Sequence, residues 1–362
     1  MPANHPQGHT SGLRIAVVGA GIAGLSCAQE LQRQGHQVVV LDKGRSPGGR
    51  LATRRVGAHT FDLGAQYFTV RDQRFAVLVE RAVQAGACAP WLGVIGALEE
   101  EAAQVHAVDT LVRYVGTPGM NAFAKFIALG LDVRSGCRVD AIRPIDEQLS
   151  LTGHAAPPGT TLGPQRAPEE VATDFGQFDF VMVCLPPRQA GSLIDELSPQ
   201  LTAVTQQTEL WPCFAVGVVP NEAAGSLSVP WDGIFVGRDE TRRSPLAWLA
   251  RDSSKPARPP GERWMLQASP EWSKASFALD LEEVQSVLVQ EFARLLALPS
   301  LKPDHQLVHR WAFAQVPRPQ HHGATLDVSA RLGVAGDWLA GGRVEGAYLS
   351  GISLAEQLIA QL

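Results

Sequence analysis

The sequence predicts a mixed α/β fold in which one part is built on a parallel sheet and another on an antiparallel sheet. Near the start, residues 15–18, 23–34 and 37–41 have the patterns of a strand, a helix and a strand, the order of a βαβ unit. In the second half, the runs CFAVGVVP, LAWLAR and RWMLQAS have the composition of antiparallel strands. At the far end, a short apolar strand at residues 332–335 precedes a helix at residues 345–362.

The composition is that of a globular protein that binds neither nucleic acid nor membrane. Of 362 residues, 45% are hydrophobic and 19% charged, which is enough apolar material for a sizeable core. The net charge of −5 leaves no basic stripe for a nucleic acid. The sequence contains no run of eighteen apolar residues, the length that a membrane span requires. We expect residues 1–13 to form a flexible tail.

The cysteines indicate a reducing compartment. There are five, an odd number, and they are widely spaced with no C-x-x-C pair; they are Cys27, Cys88, Cys137, Cys184 and Cys213. We therefore expect a cytoplasmic protein with no disulfide framework and no metal site. His305 and His309 lie four residues apart in a segment that reads as loop and strand, with no acid between them suited to zinc catalysis.

The first junction of the βαβ unit carries a glycine pattern that binds dinucleotides. Gly19, Gly21 and Gly24 form G-x-G-x-x-G, in which the glycines permit a tight turn, an approaching diphosphate and close packing of helix on strand. Ala23 opens the helix, whose positive end would point at the phosphates. Asp42, followed by Lys43, lies where a carboxylate accepts hydrogen bonds from the adenosine ribose.

Two further segments favour FAD, held without a covalent bond, over NAD. In RSPGGRLATRR, at residues 45–55, Arg50 offers a planar set of donors to the diphosphate. Asp337 follows the last strand and could bind the ribityl hydroxyls. The final helix would direct its first N–H groups toward the flavin ring, where negative charge collects on reduction; these residues are Val344, Glu345, Gly346 and Ala347.

These motifs resemble those of the amine-oxidase-like flavoproteins. The resemblance rests on G-x-G-x-x-G with D-K and P-G-G-R at one end, and on G-D followed by R-V-E-G-A-x-x-S-G at the other. Within that group, four strings closely resemble bacterial renalases: FDLGAQYFTVRDQRFA (61–76), YVGTPGMNA (114–122), WLARDSSKP (248–256) and HRWAFAQ (309–315). The similarity extends over nearly the whole chain after the tail.

The resemblance implies a Rossmann-type FAD-binding domain interleaved with an antiparallel-sheet α+β substrate domain. The FAD-binding domain would comprise residues 14–90, 131–188 and 319–362, with a mobile loop at residues 152–177 that has no usable periodicity. The substrate domain would comprise residues 91–130 and 189–318, with a structural helix at 279–296. In this arrangement Val139 would meet the adenine, and Gly64 and Ala65 would lie beside the isoalloxazine ring.

Renalases oxidise the 2-dihydro and 6-dihydro isomers of NAD(P)H to NAD(P)+ through FAD, and O2 is reduced to H2O2. A dihydropyridine is already a neutral hydride donor, so the reaction needs orientation against flavin N5 rather than a general base. No residue is therefore assigned as catalytic. Candidates to line the substrate pocket are Gln66, Tyr67, Tyr114, Pro118, His309 and Trp311.

Two other functions remain open from the residues alone. One is a flavin amine oxidase acting on a small amine, which would favour an aromatic cage and a lysine near flavin N5. Lys125, Lys255 and Lys274 all fall outside the flavin motifs in the sequence, which argues against it. The other is a flavin-binding module without catalysis. Hydrolysis finds no support, because Ser26 and Ser350 have no histidine base at a meaningful spacing.

Overall fold

The computed structural model describes residues 12–99, 104–108, 111–156, 171–221, 227, 229–237, 244–298, 301–318 and 320–362. Within these ranges the helices are α1 Ile22–Arg33, α2 Gln73–Gln84, α3 Asn121–Ile127, α4 Pro187–Ile194, α5 Pro199–Gln206, α6 Pro270–Ala275, α7 Leu281–Leu295 and α8 Val344–Ile359. The strands in the first half are β1 Arg14–Val18, β2 Gln37–Asp42, β3 Thr53–Val56, β4 His59–Asp62, β5 Cys88–Trp91, β6 Ile95–Glu99, β7 Gln104–Ala107, β8 Arg113–Gly116, β9 Asp132–Ser135, β10 Cys137–Ile145 and β11 Gln148–Ala155. The strands in the second half are β12 Val171–Phe178, β13 Phe180–Val183, β14 Trp211–Pro220, β15 Gly233–Val236, β16 Leu246–Arg251, β17 Trp264–Ala268, β18 Pro303–Gln315, β19 Ala324–Asp327 and β20 Leu332–Ala335.

The first sheet is the parallel sheet that the βαβ pattern predicts. Its six strands run in the order β19-β20-β13-β1-β2-β9, and all neighbours are parallel except β19 and β20. The strands on either side of α1 are fully apolar at their centres, so they are buried on both faces, as parallel strands usually are. Helix α1 packs so closely on α8 that there is no room for a side chain at Gly351: a Cβ there would lie 2.0 Å from the carbonyl oxygen of Ala23.

The second sheet is mostly antiparallel and separates two cores. Its seven strands run in the order β18-β14-β17-β16-β15-β6-β7, and only the β15–β6 pair is parallel. Strand alternation places Phe214 and Val216 on one face, in a core with helix α7. Ala215, Trp248 and Met265 lie on the other face, in a core shared with the parallel sheet and its helices. The mixed α/β fold that the sequence predicts is therefore present.

The prediction of a mobile loop at residues 152–177 is wrong at both ends of that range. Residues 148–155 and 171–178 form β11 and β12, which join β10 in a three-stranded antiparallel sheet. The alternation of apolar and polar residues that predicts strands is weak here. One reason is that β-bulges interrupt the register at Val139/Ala141 and Leu151/Thr152, and another is that much of the sheet is solvent-exposed. The middle of the predicted loop, residues 157–170, lies outside the described residues, as does most of the predicted tail.

Helix α5 and most of helix α4 lie beyond position 189 in the chain but pack on the parallel sheet. Ala190, Ile194 and Leu201 are fully buried in one core with Val181 and Val183 of β13. The domain limits proposed from the sequence stay a prediction. None of the helices in the described part of the chain is both long and apolar enough to cross a bilayer.

Candidate functional site

The glycine turn between β1 and α1 leaves room for a diphosphate. Gly19 has a φ of +108°, which favours glycine, and a Cβ on Gly24 would lie 1.9 Å from the carbonyl oxygen of Gly19. A Cβ on Gly21, however, would meet no heavy atom within 4 Å. Helix α1 also begins without a side-chain cap, unlike α2, α5, α6 and α7. An open backbone at an uncapped helix end fits a bound diphosphate.

Asp42 stabilises the same turn. One carboxylate oxygen accepts from the N–H of Ala20 at 2.6 Å and the other from the N–H of Gly44 at 2.6 Å. Each oxygen retains a further lone pair, so the predicted ribose contact remains possible in chemical terms. Lys43 is exposed beside it, and Val139 is buried in the same core as Leu41.

Arg50 and Asp337, expected at the diphosphate and the ribityl chain, bind each other. The Arg50 guanidinium makes two hydrogen bonds to the Asp337 carboxylate, one of them at 3.0 Å, and another at 3.1 Å to the carbonyl oxygen of Ala314. Paired planar groups of this kind are strongly oriented. This ion pair joins the two motif-bearing ends of the chain.

The start of α8 presents backbone N–H groups that have no side-chain cap. The Glu345 carboxylate accepts instead from the N–H groups of Arg71 and Asp72, at 2.6 and 2.7 Å, and so ties α8 to the start of α2. A Cβ on Gly346 would lie 1.9 Å from the carbonyl oxygen of Ala340. Val344 and Ala347 flank this turn, with Val344 half-buried. Such a helix end can stabilise developing negative charge on a ring.

The segment 63–66 is named here the flavin loop because Gly64 and Ala65 are predicted to lie beside the isoalloxazine ring. It is held by contacts from three parts of the chain. A Cβ on Gly64 would lie 1.9 Å from the carbonyl oxygen of Arg50, and the Ala65 N–H donates to that oxygen at 3.0 Å. The indole N–H of Trp311 donates to the carbonyl of Leu63 at 2.9 Å. The Gln267 amide donates to the carbonyl of Gly64 at 2.6 Å. Sequence reasoning missed Gln267, although it is a polar residue inside the apolar run RWMLQAS.

Gln66 connects the flavin loop to a buried set of four charges, named here the charged cluster: Asp62, Asp252, Lys255 and Arg258. The side-chain oxygen of Gln66 accepts from Lys255 Nζ at 3.0 Å. Lys255 also donates to Asp252 at 2.7 Å and to Asp62 at 3.2 Å. All four charged side chains are fully buried. Lys255 is remote from the flavin motifs in the sequence, but in the structure it contacts a residue of the flavin loop.

The charged cluster is balanced, with two carboxylates and two cations. Burial disfavours the ionised form of Asp62, but the charges of Lys255 and Arg258 outweigh it and lower the pKa of this carboxyl to about 2. Burial raises the pKa of Asp252, and the neighbouring charge of Asp62 adds to that rise. The second Asp62 oxygen accepts from the Thr53 hydroxyl at 2.7 Å and the Met120 N–H at 2.9 Å. Nothing in the sequence pattern predicts this cluster, because its members are up to 196 positions apart.

Aromatic side chains surround Tyr67, the residue after Gln66. The ring centroid of Tyr67 lies 5.6 Å from that of Trp248 and 6.5 Å from that of Trp91. The Arg113 guanidinium lies 5.1 Å above the Tyr67 ring. Trp91 and Trp248 are buried, whereas Tyr67 is half-buried. Of these three aromatic side chains, Tyr67 is therefore the most accessible to a ligand.

The remaining predicted pocket residues, His309, Tyr114 and Pro118, differ in their contacts and exposure. His309 contacts Trp311 edge-on, with ring centroids 4.4 Å apart. Burial, and then the charge of Arg54, lower the pKa of His309, so this imidazole is neutral at pH 7. Tyr114 stacks on Phe68 at 5.9 Å, and Pro118 is exposed. Both histidines once considered as metal ligands, His305 and His309, lie in β18 rather than partly in a loop.

Ser26 and Ser350 bond to backbone. The Ser26 hydroxyl donates to the carbonyl of Tyr348 at 3.0 Å, across the α1–α8 contact. Ser350 accepts from the N–H of Gly336 at 2.8 Å and donates to the carbonyl of Gly323. Both hydroxyls therefore serve to join a helix to the neighbouring backbone by hydrogen bonds.

The four strings 61–76, 114–122, 248–256 and 309–315 come together at the flavin loop and the residues on either side of it. String 61–76 contains the loop, and string 309–315 supplies Trp311 to it. String 248–256 supplies Lys255 to Gln66, and string 114–122 supplies the Met120 N–H to Asp62. The backbone of Tyr114 also pairs with that of Phe68, at 2.8 and 2.9 Å.

Two family models match this chain. Residues 17–82 match the NAD(P)-binding Rossmann-like domain, and residues 88–359 match the flavin containing amine oxidoreductase. Among curated proteins, a 4,4'-diapophytoene desaturase (4,4'-diaponeurosporene-forming) of Staphylococcus haemolyticus is 41% identical over 68 residues, 19% of this chain and 14% of that protein. A neurosporene-forming phytoene desaturase of Rhodobacter capsulatus is 42% identical over 66 residues, 18% of this chain and 13% of that protein. The matched part therefore spans only about a seventh of those relatives.

Solved structures share the fold over nearly the whole chain at low sequence identity. A protein of Exiguobacterium sp. 255-15 assigned as a protoporphyrinogen oxidase has a TM-score of 0.72 and 13% identity, over 97% of this chain and 99% of that one. Reduced UDP-galactopyranose mutase has a TM-score of 0.68 and 12% identity, over 97% and 96%. Wild-type putrescine oxidase bound to putrescine has a TM-score of 0.63 and 13% identity, over 96% and 99%.

Proposed function

This chain belongs to the flavin containing amine oxidoreductase family, and we propose that it is an FAD-dependent oxidase of renalase type. Its substrates would be the 2-dihydro and 6-dihydro isomers of NAD(P)H, and its products NAD(P)+ and H2O2. The observation that carries the proposal is that three renalase-like strings, separated in the chain, contact the fourth, 61–76, at the flavin loop or at Asp62 beside it.

The residues present fit FAD. The open backbone at Gly21 and the uncapped end of α1 would hold the diphosphate, and Asp42 would face the adenosine ribose. The flavin loop and the uncapped start of α8 would border the ring. When bound, FAD supplies the hydride acceptor and passes the electrons to O2.

The chain's own residues would bind and orient the substrate. A dihydropyridine becomes an aromatic pyridinium when it loses hydride, so no side chain has to remove a proton from carbon. Half-buried Tyr67 and Trp311 offer flat surfaces beside the flavin loop. Neutral His309 offers an N–H donor next to Trp311, suited to a carboxamide oxygen. Holding the reacting atoms about 3–3.5 Å apart is the main catalytic contribution we assign to the protein.

Oxidation of a small amine is the second candidate, because Lys255 contacts Gln66 and aromatic rings surround Tyr67. The bonding of Lys255 favours the first candidate. Its ammonium group already binds Asp62, Asp252 and Gln66 and has no exposed surface. An ammonium with three acceptors has no remaining proton to donate to a further partner.

Rapid mixing without air distinguishes the two functions. The flavin-loaded protein is mixed in separate experiments with 2-dihydro-NAD, 6-dihydro-NAD and a panel of small amines including putrescine, and the flavin absorbance is followed. We expect at least one dihydro isomer to bleach the flavin within seconds, while the amines leave it oxidised. Bleaching by an amine alone would establish the second candidate and refute the first.

A further inference from the structure

Strand β4 and strand β18 run side by side away from the flavin loop. At the loop, Trp311 donates to the carbonyl of Leu63. Further along, the Phe61 ring would lie 2.8 Å from a Cβ on Gly217, which is the β14 partner of Leu307. At the far end, the rings of His59 and His305 are 5.2 Å apart. Since a strand rises about 3.3 Å per residue, this seam extends about 20 Å from Trp311 to His305.

Four basic side chains lie along this seam, and we name them the seam row: Arg54, His59, His305 and His309. Arg54 pairs with Phe61 and Val56 with His59, so Arg54 and His59 share the face of β3 and β4 that carries Phe61. His305 and His309 share the face of β18 that carries Trp311. Burial, and after it the charge of Arg54, lower the pKa of His309.

The seam row contains one side chain with a fixed positive charge, Arg54. No carboxylate within the described ranges lies at ion-pair distance from Arg54, the fixed cation of the row. Asp62, the acid at the end of β4, lies on the opposite face of that strand in the charged cluster. Arg54 and His309 are half-buried and His305 is exposed, so the row leads from the flavin loop to solvent.

We propose that the seam row binds the diphosphate of the dinucleotide substrate. The Arg54 guanidinium would donate to the phosphate oxygens, and the exposed His305 imidazole would add an N–H donor further along the seam. The length of the seam allows the nicotinamide to lie by Trp311 while the adenylate end lies toward His305. This inference rests on the proposed function for the identity of the ligand, but the anion site itself can be tested without turnover.

Calorimetric binding of ADP-ribose and of inorganic pyrophosphate to the flavin-loaded protein tests the site. The test variant is Arg54→Gln, and the matched control is Arg55→Gln, because Arg55 has the same charge but lies exposed on the opposite face of β3. We expect Arg54→Gln to weaken both ligands about tenfold or more, as the loss of a charged hydrogen bond does. Arg55→Gln should change both affinities less than twofold. Flavin content and circular dichroism verify that each variant is folded.

A kinetic arm separates this inference from the proposed function. In Arg54→Gln, the ratio of the KM for 6-dihydro-NAD to the KM for the phosphate-free 6-dihydronicotinamide riboside should rise about tenfold. If no dihydro isomer reduces the flavin but ADP-ribose still depends on Arg54, the anion site is supported and the proposed function fails. Equal weakening by both variants, or by neither, would overturn the site.

Discussion

Replacing Lys255 with methionine is expected to lower the free energy of unfolding by about 3–5 kcal/mol, the usual cost of removing one partner from a buried ion pair. Lys255 is fully buried and donates to two carboxylates, Asp62 and Asp252. Without its charge, one of these carboxylates must take up a proton or remain buried without a cation of its own. Chemical denaturation of the apoprotein, followed by circular dichroism, measures the change.

Lys274→Met is the matched control. Lys274 pairs with Glu209 at 2.8 Å, but its side chain is 50% exposed, so its loss should cost about 1 kcal/mol or less. The double variant Lys255→Met with Asp252→Asn removes one charge of each sign and leaves Asp62 with Arg258. It should recover part of the stability that Lys255→Met loses. A Lys255→Met protein as stable as the parent would show that the charged cluster does not hold the flavin loop as described.

Gly21→Ala is expected to weaken FAD binding at least about tenfold, equivalent to about 1.4 kcal/mol, and to leave the apoprotein about as stable as before. The added Cβ meets no protein atom within 4 Å, and the φ of −73° and ψ of 176° at Gly21 suit any L-residue. The methyl group would therefore occupy space that the diphosphate needs. Quenching of FAD fluorescence on titration of apoprotein gives the affinity.

Gly24→Ala adds the same methyl group three residues later, but it should lower the stability of the protein rather than act on FAD binding alone. Its Cβ would lie 1.9 Å from the carbonyl oxygen of Gly19, so helix α1 must shift away from β1. Crowding of this kind typically costs about 1–3 kcal/mol. We expect Gly24→Ala to destabilise the apoprotein itself. Unchanged FAD affinity in Gly21→Ala would mean that the diphosphate does not approach this backbone.

The local parts of the site could be predicted from the sequence because each motif depends on neighbouring residues. The turn at Gly19, Gly21 and Gly24, the strand at residues 332–335 and the helix that follows it all have short-range patterns, and the structure has them within a few residues of the predicted limits. The antiparallel sheet was predictable for the same reason, since alternation along each strand reports its two faces.

The pairings across the site could not be predicted, because they join residues far apart in the chain. Arg50 and Asp337 each match a motif, yet neither motif indicates that they bind each other across 287 positions. Lys255 has no periodic pattern, and its contact with Gln66 depends on how segments 189 positions apart in the chain pack together. Strands β11 and β12 were missed because bulges break the alternation by which strands are recognised.

Anaerobic titration of the flavin-loaded protein with 6-dihydro-NAD, followed by the flavin absorbance, tests the central claim most directly. If the glycine turn, the flavin loop and the start of α8 enclose one FAD beside a dihydronicotinamide site, one equivalent of donor should bleach the flavin completely. Admission of air should then restore the absorbance with formation of H2O2. A folded protein that takes up no FAD, or whose bound flavin stays oxidised in excess 2-dihydro-NAD and 6-dihydro-NAD, would contradict the account.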